Sequence, residues 1–108
     1  AIFYFQDVIS YNEKAAKKFL VPNTLESLEL LSKQLEEIEF FTEKNLEDAF
    51  KKVMEITGLK LGKIAQPVRV ALSGETASPG IFEIIEVLGK EKVLARLNQA
   101  VRFIKDKM

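Results

Sequence analysis

Apolar residues recur at helical spacing along most of this chain. Leu25, Leu28, Leu31, Leu35 and Ile38 fall at steps of three and four, which makes one stripe on a helix. Glu29, Glu36, Glu37 and Glu39 take the other faces and read as a solvated surface. Asn23 is placed to cap this helix, with Glu26 at N3. A second stripe, Leu46, Ala49, Phe50, Val53 and Ile56, follows a start at Thr42 or Asn45. Gly58 suits its end, where the chain needs positive φ. Upstream, Phe3, Tyr4, Phe5, Val8 and Ile9 finish one element. A short helix then runs from a cap at Ser10 or Asn12 to about Phe19, with Ala15, Ala16 and Phe19 inward. Pro22 stops it.

Near the C-terminus the same pattern returns. Ser78, Pro79 and Gly80 predict a helix start, with Pro79 at N1 and Ile81, Ile84, Ile85 and Leu88 inward. Gly89 ends it. The last predicted helix, about residues 91–105, buries Val93, Leu94, Leu97, Val101 and Ile104. Lys92, Arg96, Arg102 and Lys105 are expected to point mainly outward. The pattern thus predicts an all-α fold, a compact bundle or cage of five to six short helices. Residues 1–57 are its N-terminal helical part. Residues 58–108 are a C-terminal helical subdomain of the same compact unit.

The pattern breaks in one stretch: Lys63-Ile64-Ala65-Gln66-Pro67-Val68-Arg69-Val70-Ala71-Leu72-Ser73-Gly74, followed by Ser78-Pro79-Gly80-Ile81-Phe82. Val68, Val70 and Leu72 alternate as in a strand. Ile64, Val68 and Leu72 are instead spaced as on a helix. Proline prefers the first helical position, so a short helix broken or tightened near Pro67 is favoured. Residues 59–62 then form a connector and residues 74–77 a loop. A site that departs from local rules inside a regular scaffold is where function is sought.

Composition narrows the chemistry. The chain has 108 residues, enough for one small domain. It is 47% hydrophobic and 30% charged, which allows a core and a solvated surface. It has no cysteine and no histidine, which removes disulfides, thiolate nucleophiles, the usual general base and the commonest metal ligand. No apolar run approaches the ~20 residues of a membrane span, so no membrane partner is expected. No signal peptide is evident. Ala1 leads straight into Ile2-Phe3-Tyr4-Phe5, which reads as a piece of a longer protein. Net charge is zero but unevenly spread. Residues 1–57 carry 7 basic and 11 acidic side chains, and residues 58–108 carry 9 and 5. The half that contains the irregular stretch is the half able to attract phosphate.

Catalysis needs a nucleophile beside a base, paired carboxylates or a metal. Ser73 and Ser78 have no histidine to activate them, and no glycine spacing matches a phosphate-cradling loop. No catalytic residue and no metal site is assigned. Recognition fits better. Arg69 offers a planar fork of donors for a base edge or a phosphate. Gln66 offers an amide that suits a Watson–Crick edge. The helix start from Ser78 to Ile81 presents free backbone N–H groups, and Gly80 permits close approach. Phe82 can stack on an unpaired base. Composition alone equally allows Phe82 in the core, Arg69 on an ordinary solvated surface, and Ser78-Pro79-Gly80 as a plain capped start.

Those two runs, with Leu88-Gly89-Lys90-Glu91 and Arg96-Leu97, resemble the C-terminal anticodon-binding domain of bacterial-type glutamyl-tRNA synthetases. The likeness is specific over residues 58–104 and looser over 1–57, where Tyr11 to Leu20 also fits. It implies an α-helix cage that binds the anticodon loop of the glutamate-accepting tRNA. Gln66 and Arg69 would lie beside the middle base. Ser78, Pro79, Gly80, Ile81 and Phe82 would read the middle and third bases, largely through backbone groups and apolar contact. The reader of the first base, an arginine, would precede Ala1. The parent would be a monomeric cytoplasmic ligase that attaches glutamate using ATP with magnesium in a catalytic part outside this chain. The alternative is a non-catalytic helical protein-interaction module, with Phe40 and Phe41 as an exposed apolar patch. A third outcome is a purely structural piece whose binding is too weak to detect.

Overall fold

The structure, a computed structural model, describes residues 11–74 and 80–108. Ser10, Ser78 and Pro79 lie outside the described residues, as does the apolar segment before Tyr11. Six helices are described: α1 (Glu13–Phe19), α2 (Pro22–Glu36), α3 (Glu43–Thr57), α4 (Leu61–Ser73), α5 (Ile81–Leu88) and α6 (Lys90–Lys107).

Asn12 opens α1, its Oδ1 accepting from the Ala15 amide at 3.0 Å. The Asn12 amide donates to the Gly74 carbonyl at 2.8 Å, which ties the start of α1 to the end of α4. Pro22 does more than stop α1. It is the first residue of α2, so Asn23 lies inside the helix and is not its cap. The reason is local: proline's fixed φ suits N1, where no donor is needed. The Thr24 hydroxyl completes the junction, donating to the carbonyls of Phe19 (2.6 Å) and Val21 (2.9 Å). Thr42, rather than Asn45, caps α3. Gly58 ends it at φ 75°, with its amide on the Met54 carbonyl. Ile56, expected inward, is 53% exposed, in a last turn that is largely solvated.

α4 is continuous from Leu61 to Ser73, with Pro67 at its seventh position. The expected break is absent, and residues 61 and 62 are helical rather than part of a connector. The Lys63 carbonyl lacks the amide that Pro67 cannot supply. Packing holds the helix together in its place: Ile64, Ala65, Val68, Val70, Ala71 and Leu72 are buried. α4 is apolar around most of its surface, so it sits centrally and touches α1, α2, α3, α5 and α6.

α2 packs most extensively against α6. Lys90, the first residue of α6, donates from Nζ to the carbonyls of Glu36 and Ile38 (2.8 Å each), satisfying the end of α2. Arg96 departs most from expectation. It is fully buried, and its Nη1 donates to the Leu72 carbonyl at 2.6 Å. Leu72 lies in the last turn of α4, where carbonyls have no helical partner and a cation is favoured. Gly89 alone separates α5 from α6, at φ 84° and ψ 165°.

Candidate nucleic-acid interface

Gln66 and Arg69 lie on α4, three residues apart, and therefore share one face. Both are half-buried. Their inner atoms, Gln66 Oε1 and Arg69 Nε, are buried without a hydrogen-bond partner. Buried polar atoms are usually paired, so two of them on one face, with no partner among the described residues, mark that face. Neither side chain is held by a carboxylate among the described residues.

The neighbouring helix, α5, begins at Ile81 with Gly80 as its N-cap; the expected cap Ser78 and first residue Pro79 lie outside the described residues. Gly80 is exposed, and a Cβ added there would meet nothing within 4 Å. Among the described residues no side chain caps the first turn of α5. Ile81 is buried, with 5% exposure. Phe82 is half-buried and meets Phe50 edge-on, with ring centroids 5.4 Å apart at 85°. Part of its ring therefore serves the core. Ser73 donates to the Arg69 carbonyl at 2.7 Å, a bond back along its own helix.

A groove of about 670 Å³ opens between the α1–α2 junction and the first turns of α4. Lys18, Phe19, Thr24, Lys60, Lys63 and Gln66 are among its walls. The pattern reading did not single out these lysines. Each looks like an ordinary solvated cation until the fold brings α1 beside α4. Among the described residues no group of acids is placed to hold a metal ion. Among them, too, no helix is long and apolar enough to cross a membrane.

The profile of the anticodon binding domain family matches residues 1–101. This chain belongs to the anticodon-binding domain family. The match takes in residues 1–57, where the sequence alone leads us to expect a looser likeness. A glutamate–tRNA ligase of Desulfosudis oleivorans is 57% identical over 105 residues, 97% of this chain and 22% of that protein. The glutamate–tRNA ligase of Geobacter sulfurreducens is 46% identical over 104 residues, with 96% and 22% covered. The crystal structure of a glutamate tRNA ligase from Elizabethkingia meningosepticum in complex with its amino acid superposes with a TM-score of 0.85 at 29% identity. It covers 95% of this chain and 20% of that one. This anticodon-binding domain thus spans about a fifth of the length of the curated relatives it matches.

Proposed function

We propose that this domain holds the anticodon loop of a glutamate-accepting tRNA for a cytoplasmic ligase that attaches glutamate at the expense of ATP. Gln66 and Arg69 meet the middle base. The stretch of Ser78, Pro79, Gly80, Ile81 and Phe82, which leads into α5, takes the middle and third bases. The observation that carries this reading is the placing of Gln66 and Arg69, both half-buried, on one face of α4. The parts of the two side chains left exposed there are what an unstacked base meets. The exposed Gly80 at the start of α5, with no cap among the described residues, lets a base edge come close to the backbone. ATP and magnesium act in the catalytic part of the parent. No residue of this chain is assigned to them.

The test is binding of the domain to a tRNA with a glutamate anticodon and to the same tRNA with its middle base changed. Arg69→Ala is expected to weaken the first by about 1–3 kcal/mol and to narrow the gap between the two. Gly80→Val, at a φ of −52° that any residue adopts, should leave stability unchanged and still weaken binding by obstructing close approach. Unchanged affinity in both variants overturns the assignment. The protein-interaction alternative rests on Phe40, which is 68% exposed, but Phe41 packs against the core, so no two-ring patch forms. That alternative predicts binding nearly indifferent to salt. Phosphate-driven binding weakens steeply between about 50 and 200 mM.

A further inference from the structure

Three lysines stand around the groove beside Gln66: Lys18 from α1, Lys60 at the cap of α4 and Lys63 in its first turn. All three are exposed, and among the described residues no carboxylate lines the groove. None has an ion-pair partner among the described residues; Lys18 lies over the Phe19 ring at 5.4 Å. Three unpaired cations around a concave surface repel one another and attract a polyanion. The base-facing residues do not account for them.

We propose that this groove seats the ribose–phosphate backbone of the RNA strand whose bases meet Gln66 and Arg69. The proposal rests on the anticodon-binding reading and extends it from bases to backbone. Two features select this occupant. Gln66 belongs to both surfaces: it lines the groove and lies one turn from Arg69 on α4. A strand with a base against Arg69 therefore runs past Gln66 toward the lysines. In addition, the groove gathers three lysines and, among the described residues, no carboxylate, which suits a strand that carries one negative charge per nucleotide. Phosphate contacts position a strand and base contacts specify it. The groove thus contributes affinity common to every anticodon, and the Gln66–Arg69 pair contributes discrimination.

The experiment measures fluorescence anisotropy of two labelled RNA stem-loops, one with a glutamate anticodon and one with its middle base changed. An oligoglutamate peptide is the third probe. Each is titrated with the protein across a salt series. The variants are Lys63→Gln alone and Lys18→Gln, Lys60→Gln and Lys63→Gln combined; circular dichroism confirms that these exposed changes leave the helices intact. The triple variant is expected to weaken both loops equally, by roughly tenfold or more, and to make the slope of log K against log salt shallower by roughly 2. Lys63→Gln alone makes it shallower by about 0.7. An unchanged slope, or a loss confined to the glutamate loop, overturns the groove assignment and leaves base reading standing. Tighter binding of the peptide than of either RNA overturns it in favour of an acidic protein partner. If the unaltered protein binds neither loop, the groove and the anticodon-binding reading fall together.

Discussion

Tyr11 shows how surroundings set the chemistry of one side chain. Its hydroxyl is buried without a hydrogen-bond partner, and its ring meets Phe103 edge-on at 5.0 Å. Burial pushes the phenol up from 10.0 to about 12, because a phenolate there would lose its hydration. Between these values the unfolded chain has released the proton and the folded chain still holds it. Stability therefore falls as pH rises from 10 toward 12. The urea midpoint is expected to decline above pH 10, and to decline less in Tyr11→Phe. Equal declines would mean that the phenol ionises as freely in the folded protein as in the unfolded chain. Arg96 shows the limit of reading residues singly. On a stripe of Val93, Leu97 and Ile104 its charge argues for solvent, but helical spacing places it on the buried side. What decides is the carbonyl of Leu72, which belongs to another helix and accepts from Arg96. No pattern within α6 announces that partner. Gln66 and Arg69 stand out in the sequence for the opposite reason: both sit inside an apolar run that gives them no local use.

At the level of elements, glycines set the junctions. Gly58 and Gly89 both have positive φ, and neither would bring a Cβ within 4 Å of another atom. Substitution there therefore tests backbone strain alone. Gly58, at ψ 9°, is in the left-handed helical region, which an alanine enters at a cost of about 1–2 kcal/mol. Gly89, at ψ 165°, is in a region that is essentially glycine's alone. Gly89→Ala is expected to destabilise by about 1–3 kcal/mol and by more than Gly58→Ala, as read by urea unfolding. The reverse order would show that the α5–α6 junction relaxes. Helix existence was legible because the apolar stripes are long and regular. Boundaries were less so, and proline explains the misses. Pro22 serves as both a stop and a start. Pro67 sits inside a helix because burial on most sides outweighs one missing hydrogen bond.

Across the whole molecule the two sequence halves interlock. α2 packs on α6, and α3 packs on α4, so the buried surfaces cross between the halves. Leu97, fully buried on α6, is part of that shared interior. Leu97→Ala is expected to cost about 2–5 kcal/mol, a large share of a small domain's stability. Helicity and RNA binding should then be lost at the same urea concentration, because one cooperative unit carries both. Loss of binding well before helicity would mean that the interface opens on its own. The lysine-lined groove was not legible beforehand, since it exists only where α1 and α4 come together. The single-residue link between α5 and α6 has one more effect. With no spare chain at that end, the outward bearing of Gly80 is fixed by how many residues α5 contains. One added residue would swing that tip by about 100° and lengthen its reach by about 1.5 Å, so the aim of the tip is counted rather than steered.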